Sequence, residues 1–165
     1  MEILDIYNEK GELTGKTIER GDKNNLEEGE HFAVALIFIE NSKGEFLIQK
    51  TSKEKGSKYA TTGGHVNHGE TPKECILREV KEELNISLNE DEIQEFGYII
   101  YDLPIRYIFY IKKDINLDDI SLQKEEVEKV EYLSIEQIKK LIEENKFLDS
   151  HSIQFDYLLK ELTKE

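Results

Sequence analysis

GHVNHGETPKECILREVKEELNI, residues 64–86, is the stretch on which the reading of this chain turns. Thr71 is a helix-capping type, Pro72 suits a first helical position, and Glu74 completes a capping box three residues after Thr71. The spacing predicts a helix that runs to about Leu84. Asn85 then stands where a left-handed residue ends a helix, and asparagine tolerates that conformation second only to glycine. At 100° per residue, Glu79, Glu82 and Glu83 fall within an arc of roughly 100°. Ile76, Leu77, Val80 and Leu84 lie on another side, free to bury against a sheet. Like charges at this spacing repel by about 0.2–0.5 kcal/mol per pair. Arg78, Lys81 or solvent can offset that, which would make the face a merely solvated one. A divalent cation offsets it better, because Mg²⁺ and Mn²⁺ take hard oxygen ligands.

Before the helix, TSKEKGSKYATTGGHVNHGE (51–70) reads as a long irregular loop of the kind that carries function. Its Gly63 and Gly64 permit a tight turn or the close approach of a ligand. Further upstream, HFAVALIFIE (31–40) and EFLIQK (45–50) read as two strands joined by the turn NSKG, hence a hairpin. EILDIY (2–7) is a short strand that Gly11 turns into a hairpin, and residues 20–30 read as an exposed loop. Downstream, EFGYIIYDL (95–103) and IRYIFYIK (105–112) form an expected antiparallel pair. Alternation sends Arg106, Ile108 and Tyr110 to one side and Tyr107, Phe109 and Ile111 to the other. One side should be core, and the other could stack a base while Arg106 holds phosphate. Lys50, or Lys58 beside Tyr59, could serve the same end. VEKVEYLS (127–134) is a strand, Ser134 with Gln137 caps a helix to about Glu143, and a last helix starts at Asp149 or Ser150. Ile153, Tyr157 and Leu158 repeat along one side of it. This order gives an α+β fold, a mostly antiparallel sheet with flanking helices.

The 165 residues suit one domain, with 1–29 as an N-terminal hairpin extension and 30–165 as the core. Acidic residues outnumber basic ones 36 to 22, a net charge of −14. Such a field disfavours duplex nucleic acid and anionic membranes, but not a small phosphorylated molecule accompanied by cations. One cysteine excludes an intrachain disulfide and every multi-cysteine zinc cluster. The longest apolar run, Phe32 to Ile39, is far short of a membrane span. MEILDIYNEK has neither a basic region nor a long apolar stretch, so no signal peptide is expected and the cytoplasm is the default location.

The segment 64–86 resembles the signature of the Nudix hydrolases, G-x5-E-x7-R-E-[apolar]-x-E-E-x-G-[apolar]. Every constrained position is met except the last glycine, which is Asn85 here. The resemblance extends over about residues 30–145 and implies an α/β/α sandwich around a mixed sheet. It implies hydrolysis of a diphosphate linkage in a small nucleoside diphosphate derivative or a related diphosphate, with Mg²⁺ or Mn²⁺. On matching positions, Glu79, Glu82 and Glu83 look like metal ligands, with Gly64 and His65 near the metals. Arg78 looks like the residue that grips a glutamate with two prongs, and Glu70 like the tie between loop and helix. The general base would be Glu79 or Glu82, or a glutamate of the late segment SLQKEEV (121–127), where Glu126 fits better than Glu125. His31 and His68 are weaker candidates for a role near the metals, and His151 should flank the last helix.

The opening D-x-x-N-E-x-G, with His31 and His65, is also similar to the isopentenyl-diphosphate isomerase branch of this fold. That isomerase needs a cysteine shortly before the position of His65, where this chain has Thr62 and Gly63. A non-catalytic nucleotide-binding protein is the other alternative, disfavoured by the presence of all three helix carboxylates and Arg78. The N-terminal hairpin offers a surface on which a second copy could pack as a homodimer.

Overall fold

A computed structural model describes residues 2–164 of the chain. The elements are β1 (Ile3–Tyr7), β2 (Leu13–Glu19), β3 (Ala33–Glu40), β4 (Phe46–Thr51), β5 (Tyr59–Ala60), β6 (Thr62–His65), α1 (Pro72–Leu84), β7 (Gln94–Ile100), β8 (Ile105–Lys112), β9 (Val127–Leu133), α2 (Ile135–Glu143) and α3 (Asp149–Leu162). Seven strands make one mixed sheet with the path β5-β4-β3-β8-β7, with β6 added to β3 and β9 to β4. Among the described residues, no helix is long and apolar enough to cross a membrane.

β3 is the axis of the fold. It runs parallel to β8 over eight residues, from Ala33 opposite Ile105 to Glu40 opposite Lys112. A strand covered on both faces has no polar side, which is why its sequence is a continuous apolar run. Ala35, Ile37 and Ile39 point to α1, where Cys75, Ile76, Val80 and Leu84 cover them. Leu36 and Phe38 point the other way, to Ile138 of α2 and Phe155 and Leu158 of α3. The molecule is therefore the α/β/α sandwich expected of an α+β chain. β8 obeys the expected alternation, but both of its sides are core: Phe109 and Ile111 join the α1 side, Ile108 and Tyr110 the α3 side. An open base-stacking face on β8 is thus not available.

The expected hairpin of β3 and β4 is a hairpin only at its turn. Asn41 Oδ1 accepts the amides of Lys43 and Glu45, and Glu40 opposite Phe46 is the one register pair between the two strands. Beyond it they splay. β4 leaves to pair with β5 and β9, while β3 takes β6 on the side it vacates. The supposedly irregular stretch 51–70 therefore contains two short strands. Gly63 and Gly64 are extended strand residues rather than turn residues. A Cβ on Gly63 would sit 2.3 Å from the Ala35 carbonyl oxygen, so only glycine lets β6 lie this close to β3.

Local signals near the helices are met. Thr71 and Glu74, and Ser134 and Gln137, form reciprocal capping boxes, and Asn85 is left-handed at φ 57° and ψ 40°. Two expectations shift. Residues 20–25 wind into a short 3₁₀ helix instead of a loop. The buried stripe of α3 centres on Gln154, Phe155 and Leu158, not on Ile153 and Tyr157. Gln154 can be buried because its amide donates to the Tyr107 carbonyl at 3.2 Å. At the other end of the chain, Leu4 and Ile6 of β1 are buried, and the Tyr7 and His31 backbones exchange hydrogen bonds. Asp5 accepts from the Gly69 amide and pairs with His68 Nδ1 at 2.6 Å. β1 is thus fastened to the body, while β2 is largely exposed, Leu13 at 63%.

His151 ties α3 to the β5–β6 corner by accepting the Thr61 amide on Nδ1 at 3.2 Å. Burial, then the charge of Arg106, push its pKa down to about 3 from 6.5. The unfolded chain takes up a proton here as pH falls below 6.5 and the folded chain does not. The associated stability is whole above that pH and lost below it. Between pH 7 and 5, His151→Gln should therefore lose less thermal stability than wild type, by up to about 1.4 kcal/mol per pH unit. Parallel slopes for the two proteins would contradict this. At the end of α1, Asn85→Gly should change stability by less than about 1 kcal/mol. Asn85→Val should cost at least about 1–2 kcal/mol, because a branched side chain resists positive φ. Urea denaturation of both variants checks the pair.

Candidate active site

α1 presents Glu79, Glu82 and Glu83 toward the gap left by the splay of β3 and β4. All three line a cavity of about 390 Å³ together with Gly64, Arg78 and Glu126. Arg78 organises its floor. Its Nε and Nη2 donate to the two oxygens of Glu70 at 2.7 and 3.0 Å, a two-pronged grip. Nη1 donates to Glu79 at 2.8 Å and reaches Glu82 at 3.3 Å, and Nη2 also meets the His65 carbonyl at 3.1 Å. Burial works against the charge on Glu70, but Arg78 and the Asn67 amide outweigh it and hold that carboxyl below its ordinary value. Gly64 has a direct structural reason to be glycine. A Cβ there would lie 2.5 Å from the Glu79 carboxylate.

Glu83 is the most unusual member. It is 7% exposed, and no ion pair reaches it among the described residues. Gln49 Nε2 donates to its Oε1 at 2.8 Å, and Thr62 Oγ1 in turn donates to Gln49 Oε1 at 3.0 Å. Burial, then the hydrogen bond shared with Glu79, push the Glu83 carboxyl well above the usual carboxylate range. The carboxylates and the backbone carbonyls around Gly64 are hard oxygen donors of the kind that Mg²⁺ and Mn²⁺ take. No three of the described side chains stand pre-assembled as a coordination shell, because Arg78 holds Glu79 and Glu82.

Glu126 faces the same cavity from the segment before β9, and its carboxylate is 3.3 Å from Lys55 Nζ. His65 lies at the junction with a second cavity of about 350 Å³ that also contains Arg106. Its ring points away from the glutamates. It stacks on Phe32 at 5.4 Å and accepts from Lys23 Nζ on Nε2 at 2.9 Å. Burial, then Arg20 and Lys23, push its pKa down to about 3, so the ring is neutral.

Three expected substrate-binding residues lie elsewhere. Tyr107 belongs to the opposite side of β8, under the N-terminal hairpin with Tyr7 and Gly11. Lys50 points away from its neighbour Gln49, pairs with Glu128 at 3.6 Å and lies over Tyr59. Lys58 is spent on the Asn145 carbonyl. His31 is buried against the Leu103 carbonyl at 2.8 Å, and His68 is held by Asp5, so neither joins the glutamates. Conversely, Gln49, Lys55 and His151 line the cleft without having been anticipated. Only Gln49 left a trace in the sequence, as a polar residue at the end of the buried run Phe46–Ile48.

Comparison with known proteins gives the fold its place. The family model described as NUDIX domain matches residues 29–153. An uncharacterised Nudix hydrolase of Listeria monocytogenes is 36% identical over 99% of this chain and 98% of its own length. A crystal structure of a Deinococcus radiodurans protein superposes with a TM-score of 0.76 at 23% identity, covering 94% of this chain and 98% of that one. A bifunctional NMN adenylyltransferase/ADP ribose pyrophosphatase of Francisella tularensis, solved with AMP and a manganese ion, superposes with a TM-score of 0.62 at 21% identity. It covers 79% of this chain and 42% of that one. The family match over most of the chain, and a Listeria relative alike along nearly its whole length, make this chain a member of the Nudix family of hydrolases.

Proposed function

We propose that this Nudix hydrolase uses a divalent cation to cleave the diphosphate linkage of a small nucleoside diphosphate derivative. One observation carries the reading. Glu83 is buried beside Glu79 with no basic partner among the described residues, a costly arrangement that a hard cation relieves. A bound Mg²⁺ or Mn²⁺ would neutralise the diphosphate and lower the pKa of an attacking water. Glu79, Glu82 and Glu83 are the residues that would hold it, with the Gly64 backbone alongside. Gln49 orients Glu83 by its 2.8 Å hydrogen bond. Arg78 keeps Glu79 and Glu70 in place, so the loop before α1 and the helix act as one unit. Glu126, which lines the cleft and pairs with Lys55, would accept the proton of the attacking water once Lys55 releases it. The manganese and AMP found with the Francisella protein support the choice of cation and nucleotide.

Isomerisation is the weaker reading. Thr62, near the position where that chemistry needs a thiol, spends its hydroxyl on Gln49. Cys75 is buried in the core under α1, and its thiol lies against the His65 carbonyl at 3.3 Å. Burial first, then nearby carboxylates, push this thiol far above its ordinary value. Isopentenyl diphosphate should therefore give no allylic isomer.

A panel of nucleoside diphosphate derivatives assayed with Mg²⁺ and Mn²⁺ tests the proposal. Activity should vanish in EDTA and return with either ion; full turnover in metal-free protein would overturn it. Glu82→Gln and Glu83→Gln should each lower kcat by ~10²-fold or more. Wild-type rates in both would end the assignment of the metal site. Glu126→Gln should leave metal affinity nearly intact and lower kcat by about 10²–10⁴-fold. A normal rate there would return the base role to Glu79 or Glu82.

A further inference from the structure

The second cavity meets the carboxylate cleft at Gly63, Gly64, His65 and His151, and its charge has the opposite sign. Lys23, from the 3₁₀ turn after β2, and Arg106, from β8, both line it. In a chain with 36 acidic residues these two cations form no ion pair among the described residues. None of their hydrogen bonds goes to a carboxylate. Lys23 Nζ donates to Nε2 of the His65 ring and lies 5.1 Å from the Phe32 ring centre. Arg106 Nε donates to the Tyr101 carbonyl at 3.3 Å, and Nη1 meets the Gln154 amide oxygen at 3.5 Å. Asp102 is the acidic residue on this wall; it forms no ion pair with either cation among the described residues, although its charge partly supports that of Arg106. Burial and the repulsion of neighbouring cations lower the pKa of Lys23, and burial lowers that of Arg106. Two half-buried like charges facing one cavity without an ion pair are a cost to folding that a bound anion reduces. His151 adds a neutral donor. Its Nδ1 accepts the Thr61 amide, so the ring proton sits on Nε2.

We propose that Lys23 and Arg106 form an anion subsite beside the carboxylate cleft that holds a phosphoryl group at the end of the substrate remote from the scissile diphosphate. This rests on the hydrolase reading for the word substrate, but not for the site. The planar fork of Arg106 and the point charge of Lys23 suit the several oxygens of a phosphoryl group better than a single carboxylate. The cleft is then two-signed. Glutamates and a cation act on the diphosphate, and the basic pair reads what lies beyond it. The enzyme's preferred substrate is a diphosphate whose departing half carries its own phosphate.

Two measurements test this. In the first, inorganic phosphate is titrated into the EDTA-treated protein and followed by amide NMR shifts and calorimetry. Wild type should bind with shifts centred on Lys23, His65 and Arg106. Lys23→Gln and Arg106→Gln should each weaken binding by about tenfold or more, Lys23→Arg, which keeps the charge, should retain most of it, and Arg106→Lys, which keeps the charge but loses the fork, should fall between. Absence of binding in wild type, or equal binding in the glutamine variants with unchanged melting temperature, overturns the subsite whatever the protein hydrolyses. In the second, kcat/KM is compared for two nucleoside diphosphate sugars that differ only in a phosphate on the sugar. The preference for the phosphorylated one should fall about tenfold or more in each glutamine variant. An unchanged preference would mean that the pair holds the scissile diphosphate itself, and would overturn the proposal. Phosphate binding that depends on Lys23 and Arg106, with no hydrolysis of any diphosphate, would instead refute the hydrolytic reading and leave the subsite standing.

Discussion

Arg78 joins the parts of this site that sequence order keeps separate. Its guanidinium holds Glu70 at the end of the loop, Glu79 and Glu82 on the helix, and the His65 carbonyl at the end of β6. A lysine has one charged nitrogen and could not make the two-pronged grip on Glu70 while also reaching Glu79. The contact sets the distance between β6 and α1, and that distance explains Gly64. The Glu79 carboxylate lies where a Cβ of residue 64 would be. Glycine in this strand is thus required by a side chain of the helix, not by backbone torsion.

The same helix carries a tension that its packing does not resolve. Val80 and Leu84 anchor α1 to the sheet, and Glu83, between them in sequence, is drawn into the same buried zone. Gln49 and Thr62 supply it with an oriented hydrogen-bond chain but no positive charge. A neutral donor stabilises a buried carboxylate far less than a cation does. The protein therefore keeps a carboxyl whose ionisation is disfavoured at the place where its chemistry is proposed, as functional sites commonly do.

The surroundings of that place are divided by charge. On one side of the Gly63–Gly64 strand are carboxylates, and on the other are Lys23 and Arg106 among neutral partners. The overall acidity of the chain makes this local reversal easier to see, since most cations elsewhere are exposed or paired. It also reconciles a net charge of −14 with the anionic substrate proposed, because local potential inside a low-dielectric cleft outweighs the distant field.

The sequence by itself determined whatever depends on neighbours a few residues apart. Both capping boxes, the left-handed stop at Asn85 and the shared face of Glu79, Glu82 and Glu83 follow from helix geometry and side-chain chemistry. The 64–86 pattern also carried Arg78 and Glu70 into their roles, because its spacing encodes a contact made eight residues apart. Tertiary structure decided the rest. The parallel pairing of β3 with β8 and the splay of β3 from β4 could not be read from two apolar runs, since a buried strand shows the same pattern beside any neighbour. Tyr107 went to the hairpin side and Lys50 and Lys58 to other partners because alternation fixes opposite faces without saying which face meets the cleft. Gln49 and Glu83 are 34 residues apart, and Lys23 and His65 are 42 apart. Contacts at such separations exist only once the sheet has formed, so no local rule of spacing or propensity could have brought them together.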